Sequence, residues 1–266
     1  MVGVDGSPAS DSAVVFGAAE AKRRHVPLLL VHGYVDSIPH LAYGWTQQRA
    51  LANAVRDDAR RMLTDVELRA HAAHPNLTVR STLVAGGGAS TLVELSRGAS
   101  LVVVGARGRG GFPGLRLGSV GAQVVAHAHA PVVVVRPARA EGSVASVVVG
   151  IDGSPASDLA IGFAFEEAAL RRVPVIALTT QDETDRLLAE AVAAWSAKYP
   201  DVMVRRISAH DMNPAQALVD ASRDAAIVIV GHRGRGGFAG MVLGSVSRKV
   251  VDHAHCPVAV VREIEE

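Results

Sequence analysis

Two glycine-rich stretches have a spacing suited to chemistry: GARGRGGFPGLRLGSV at Gly105–Val120 and GHRGRGGFAGMVLGSV at Gly231–Val246. Both read Gly-x2-Gly-x9-Gly-Ser, as Gly105, Gly108, Gly118 and Ser119, and again as Gly231, Gly234, Gly244 and Ser245. An apolar run precedes each, and a helix-forming segment follows. A strand that ends on glycine puts no Cβ between its backbone and an approaching ligand. A glycine loop presents main-chain N–H groups, and the free N–H groups and dipole of the next helix favour an anion. Ser119 and Ser245 add hydroxyl donors. The pattern predicts a phosphate cradle. It is not a P-loop, because no G-x-x-x-x-G-K-[ST] occurs in the chain. Nor does a G-x-G-x-x-G dinucleotide fingerprint follow the first strand.

The loops must be held by something, and the chain supplies the same scaffold twice. VGVDGSPASD at Val2–Asp11 returns as VGIDGSPASD at Val149–Asp158, and HAHAPVVVVR at His127–Arg136 returns as HAHCPVAVVR at His253–Arg262. The order of the three blocks is the same in both halves, which marks a duplicated domain and not a solenoid. The seam falls near PARAEGS, Pro137–Ser143. The expected domains are residues 1–138 and 144–266.

Within each half, apolar β-branched runs alternate with helical spacing. In the first half Val2–Val4, Val26–Tyr34, LTVRSTLV, LVVVG and PVVVVR read as strands. Ala9–Arg24, Thr46–Ala73, ASTLVELSRG and Gly118–His127 read as helices. Continuous valine runs fit strands buried on both faces, and helical crossovers fit a parallel sheet. The fold expected is α/β: two tandem, doubly wound, five-stranded parallel sheets, each an α/β/α sandwich. Between its second and third strands the second half is some twenty residues shorter, so its loop there nearly vanishes.

Composition narrows the function. Lys plus Arg number 27 against 26 Asp plus Glu, which disfavours a nucleic-acid binder with a basic face or a polybasic membrane anchor. The one cysteine, Cys256, permits no intramolecular disulfide and fits a reducing compartment. No apolar run approaches the ~18 residues of a membrane span, and no basic-then-apolar leader opens the sequence. A cytoplasmic protein without nucleic-acid or membrane partners is expected.

The paired motifs, an early V-x-V-D-G-S and a later G-x2-G-x9-G-[ST], resemble the universal stress protein family, and the resemblance spans the chain as two tandem domains. It implies strand order 3-2-1-4-5 and ATP, with Mg2+ as its companion ion, bound where strands one and four diverge. Asp5 and Asp152 then lie on the adenine side, after strand one, with Gly3 and Val4, or Gly150 and Ile151, at the strand end. Gly33 and Thr180 line the base pocket. Val104 with Gly105, and Val230 with Gly231, form the strand-four edge. Gly108, Gly118, Ser119 and Val120 hold phosphate in the first half, and Gly234, Gly244, Ser245 and Val246 in the second. It further implies that the halves pair through their last strands and that two chains form a homodimer. The function implied is nucleotide-dependent regulation in a stress response, one nucleotide per domain. A scaffold joined by edge strands and a slow ATPase are the alternatives.

Other readings stand beside these. Asp5 and Asp152 have the position to cap the first helix of each half. Arg109 and Arg235 either reach phosphate or stay solvated. The His127/His129 and His253/His255 pairs sit two residues apart and would not converge on a metal from one helix, so neither a metal site nor a catalytic set is assigned. Tyr34, Tyr43 and Trp45 cover a ligand, cover an interface, or pack in a core.

Overall fold

The structure is a computed structural model and describes residues 1–35, 45–109, 116–136, 146–180, 184–234 and 243–262. In chain order the first half contains β1 (Val2–Gly3), α1 (Pro8–Arg24), β2 (Leu28–Tyr34), α2 (Trp45–Ala73) and β3 (Val79–Ala85). It continues with α3 (Gly88–Leu95), β4 (Val102–Gly105), α4 (Ser119–His127) and β5 (Val132–Val135). The second half repeats the series as β6 (Ser146–Gly150), α5 (Pro155–Arg171), β7 (Val175–Thr179), α6 (Thr184–Lys198) and β8 (Val204–Ser208). It closes with α7 (Pro214–Ala221), β9 (Ala225–Gly231), α8 (Ser245–His253) and β10 (Val258–Val261).

Each half has the expected strand order 3-2-1-4-5, but the two sheets are not separate. They join into one ten-stranded sheet, β3-β2-β1-β4-β5-β10-β9-β6-β7-β8. Every pairing within a half is parallel, and the seam is antiparallel, with Ala259 opposite Val133. The last strands therefore pair with each other, as the resemblance implied. The cores follow the faces of this sheet instead of the halves. One apolar layer gathers Val2, Leu30 and Val103 with Val149, Phe165 and Ile229. The opposite layer gathers Val31, Val104 and Val124 with Val148, Val230 and Val250.

The helices over the seam explain why the halves stay together. α1 and α5 start alike: Ser7 and Ser154 accept the N–H of Ser10 and Ser157, and a proline follows each cap. Their C-terminal turns meet across the pseudo-twofold axis. Arg24 donates to Glu166 and Glu167, and Arg171 donates to Glu20 and, 2.9 Å away, to Glu167. Each guanidinium also lies over the other half's ring, Arg24 5.5 Å from Phe163 and Arg171 5.3 Å from Phe16. Glu20 and Glu167 are nearly sealed from solvent. Burial holds the Glu20 carboxyl above its ordinary range, although guanidinium groups surround it. The last strands reinforce the seam. Arg262 donates to the carbonyls of Ala126 and Ala128 at the end of α4, and Arg136 donates to Val251 O in α8. Each fourth helix thus has its negative C-terminal end covered by a cation from the other half.

Candidate functional site

A cavity of about 510 Å³ opens at the C-terminal ends of β1 and β4. These strands are adjacent in the sheet although β2 and β3 lie on one side and β5 on the other, so the cavity is at the switch point of the first half. The structure brings all ten first-half residues to it: Gly3, Val4 and Asp5 after β1, Gly33 at β2, Val104 and Gly105 at β4. The other four are Gly108, Gly118, Ser119 and Val120, around the start of α4. The sequence reading missed His32, Gly88 and Leu92, which form the wall between β2 and α3, and Arg107, Ser10, Val31 and Gly121. The signal for the α3 wall was present. Gly86-Gly87-Gly88 opens a helix as Gly118 does, and the same rule was not applied to it.

The donors at the start of α4 can be counted group by group. Gly118 N–H bonds to Ala106 O at 2.8 Å, and Ala122 N–H makes the first helical bond to Gly118 O. As the N-cap, Gly118 has no side chain to satisfy the first turn. The N–H groups of Ser119, Val120 and Gly121 therefore have no intrahelical acceptor. The sequence reading treated the loop glycines as general donors, but Gly118 is already engaged. Gly110, Gly111 and Gly114 lie outside the described residues. In the second half Gly244 N–H likewise bonds to His232 O at 2.8 Å, and Gly244 as N-cap gives no side-chain bond.

Asp5 joins the two ends of the site. Its Oδ1 accepts Ser7 N–H at 2.9 Å and its Oδ2 accepts Arg109 N–H at 3.0 Å. Half-burial alone would raise its pKa. The hydrogen bonds from Ser7, Arg109 and Ser10 outweigh it and hold the carboxyl below its ordinary 3.8. Asp5 does not cap α1; Ser7 does. Gly108 faces the same carboxylate, so a side chain there would strike Asp5 Oδ2. The second half repeats this: Asp152 Oδ1 accepts Ser154 N–H at 3.0 Å, Ser154 caps α5, and Gly234 faces Asp152.

Gly105 calls for a correction. Its missing Cβ does not open the way for a ligand. A methyl there would lie 2.6 Å from the carbonyl carbon and oxygen of Ala9, so glycine lets α1 pack directly on β4. Gly231 stands in the same relation to Ala156. Gly33 is a second close approach: a Cβ would lie 2.8 Å from Gly88 Cα. His32 Nδ1 lies 2.6 Å from Val4 O, which fixes Nδ1 as the donor and leaves Nε2 as the acceptor of the neutral ring.

In the second half the expected residues occupy matching positions. Ile151 N–H bonds to Leu178 O as Val4 N–H bonds to Val31 O, which sets Thr180 opposite Gly33 in register. Gly150 touches Leu218 where Gly3 touches Leu92. Val230 and Gly231 end β9, and Ser245 and Val246 open α8. Arg235 and Tyr43 lie outside the described residues, as does the side chain of Trp45; Tyr34 ends β2. His127 ends α4 and His129 lies beyond it, so the pair is not on one helix.

The cavity mouth is cationic, with Arg107 and Arg109 both exposed. Asp5 is the one carboxylate among its described lining residues, and no group of three His, Cys, Asp or Glu able to hold a metal occurs among the described residues. The residues present therefore do not fit a protein-held Mg2+, which asks for several oxygen ligands in octahedral array. No helix among the described residues is long and apolar enough to cross a membrane.

Comparison with known proteins bears on the family and the fold. The profile of the universal stress protein family matches residues 1–136, 144–201 and 179–262. A universal stress protein of Mycobacterium tuberculosis is 38% identical over 294 aligned positions, covering 99% of this chain and 96% of the relative. The solved structure of a universal stress protein from Archaeoglobus fulgidus DSM 4304 covers 98% of this chain and 97% of its own with a TM-score of 0.75 at 20% identity, a likeness of fold. A shorter Archaeoglobus fulgidus member, solved in complex with dAMP, covers 44% of this chain and 97% of its own at 27% identity and a TM-score of 0.33. The chain belongs to the universal stress protein family, as a tandem of two family domains.

Proposed function

We propose that this tandem universal stress protein binds an adenine nucleotide, with ATP as the candidate, in the first-half cavity, and that it regulates rather than hydrolyses. The observation that carries the reading is the set of uncapped first-turn N–H groups of Ser119, Val120 and Gly121, three residues that line a cavity at the switch point. They suit a phosphate, with the dipole of α4 behind them and Arg107 and Arg109 at the rim. Val4, Val31 and Leu92 supply apolar wall for a base, and His32 Nε2 an acceptor for its amino group or for the ribose hydroxyls. An Mg2+ ion would arrive on the phosphates, coordinated by them and by water.

Hydrolysis needs a group to orient or deprotonate the attacking water. Asp5, the carboxylate at hand, already accepts two main-chain N–H groups and is held ionised by them, an arrangement suited to shaping the loop. Binding then acts by population shift, through differential affinity for two arrangements of the protein. The pairing of β5 with β10 is the association through last strands that the scaffold alternative expected, but it joins the two halves of one chain and leaves neither strand as an edge for a further chain.

Titration calorimetry with ATP, ADP and AMP tests the proposal, together with phosphate-release assays. Heat of binding is expected for wild type. It should fall at least tenfold in affinity for Ser119→Glu, an exposed substitution that sets a carboxylate where phosphate would sit. Phosphate release at background is expected throughout. A folded wild type that takes up none of the three nucleotides overturns the reading.

A further inference from the structure

We propose that the two copies differ in what they accept: only the first half houses a nucleoside, and Gly33 and Gly88 are the residues that make room for it. This rests on the nucleotide reading above and sets its stoichiometry at one per chain, in place of the one per domain that duplication implies.

The argument comes from four paired positions around the end of the second strand. In the first half Gly33 and Gly88 meet backbone to backbone, an approach that no side chain on Gly33 would allow. Their counterparts by register and by helix alignment are Thr180 and Pro214, so both positions carry a side chain where the first half has none. The strands differ accordingly. β2 and β3 remain paired out to Tyr34 and Ala85, whereas β7 and β8 stop at Thr179 and Ser208, and a longer connection leads to α7. The helix mouths differ too. α3 starts after Gly87 with no side-chain cap, and Gly88 lines the cavity. α7 starts on proline, which has no N–H, and Asn213 Oδ1 accepts Ala215 and Gln216 N–H at 3.1 and 3.3 Å. The donors that α3 leaves open on the base side are thus absent or engaged in α7. Finally, His32, partly buried in the cavity wall, is matched by Thr179, which is 1% exposed.

The second half keeps the Gly-x2-Gly-x9-Gly-Ser spacing and the start of α8, while its base side carries side chains where the first half has glycine. Differential closure of this kind acts as specificity, since a filled wall rejects a ring that a glycine wall admits.

The test uses the full chain. Equilibrium dialysis with ATP is expected to give one equivalent bound. Photolabelling with 8-azido-ATP, followed by peptide mapping, is expected to mark peptides within residues 1–35 or 79–109 and none within 175–234. A Thr180→Gly/Asn213→Gly/Pro214→Gly variant, folded by circular dichroism, is expected to take up a second equivalent. Two equivalents on wild type, or label in the second half, overturn the inference while leaving nucleotide binding intact. A folded variant that stays at one equivalent removes Thr180 and Pro214 as the cause and overturns it as well. No uptake at all refutes the nucleotide reading, and this inference with it.

Discussion

The carboxylate of Asp5 accepts the main-chain N–H of Arg109 across 104 positions of chain, at 3.0 Å. Through it the turn after β1 is tied to the loop after β4. Both segments line the cavity, and the bond holds them against each other. Gly108 is glycine because the carboxylate lies where its side chain would be.

Asp5→Asn keeps the size of the side chain but can place an NH2 group against Arg109 N–H, donor against donor. A hydrogen bond to a charged group is worth about 1.5–3 kcal/mol. Calorimetry should therefore show ATP affinity reduced by roughly ten- to a hundredfold. An affinity equal to wild type would mean that the bond does not shape the site.

The same residue gives a pH signature. Its folded pKa lies below the ordinary 3.8, so the unfolded chain takes up its proton first as pH falls. The stability it contributes is complete well above 3.8 and is lost as pH drops through the folded value. Urea melts of wild type and Asp5→Asn should differ by a constant amount at neutral pH, with the gap narrowing on acidification below 3.8. A gap that widens in acid contradicts the assigned hydrogen bonds.

At the seam, Arg171 faces Glu20 and Glu167 in surroundings almost without water. Stranding a buried charge costs about 3–5 kcal/mol, and loss of Arg171 strands the two carboxylates only in part, because Arg24 still faces both and Arg23 still faces Glu20. Arg171→Met should lower the unfolding free energy by up to that amount, read as an earlier denaturation midpoint. Adding Glu20→Gln and Glu167→Gln should recover much of the loss, since the stranded charges are then gone. Equal midpoints for the single and triple variants would show that the network is worth no more than surface pairs.

These comparisons mark how far the sequence could be read. The repeats located both halves and their elements, because the Val runs, the Ser-Pro starts of α1 and α5 and the glycine loops are local signals, while the strand order came from the family resemblance. The ten first-half residues named from the glycine spacing and the resemblance all line the cavity. Three things were not legible. That the cores run through both halves depends on the Ala259–Val133 pairing, a contact between remote strands. The purpose of Gly105 depends on Ala9, nearly a hundred positions away, so glycine at a strand end could not be assigned to helix packing or to a ligand from spacing alone. The Gly86–Gly88 run is a local signal for the start of α3, but that this start walls the cavity depends on the return of Gly88 beside Gly33, which only the folded sheet establishes.

Cys256 should be inert. Burial in an apolar layer pushes its thiol up to about 12, leaving almost no thiolate near neutrality. A thiol reagent such as dithionitrobenzoate should fail to label native protein at pH 8 and label it promptly in denaturant. Rapid labelling of the native state would place the thiol at the surface.

Gly105 and Gly118 both line the cavity, yet a methyl group should affect them differently. At Gly105 it would sit 2.6 Å from Ala9 backbone atoms, which no rotamer change can move aside; α1 would have to lift off β4. Overpacking of that kind costs about 1–3 kcal/mol or more. Near this chain length each kcal/mol shifts Tm by roughly 2–4 °C, so Gly105→Ala should melt several degrees early. At Gly118 the nearest atom would be Gly108 N, 3.6 Å away, and φ is −71°, open to any residue. Alanine is only a poorer N-cap than glycine, a cost of about 1 kcal/mol or less. Gly118→Ala should therefore melt close to wild type. Differential scanning calorimetry of the two variants decides the matter. Equal Tm losses would mean that the loop glycines serve one common packing role, and the separation of a packing glycine from a cavity glycine would fall.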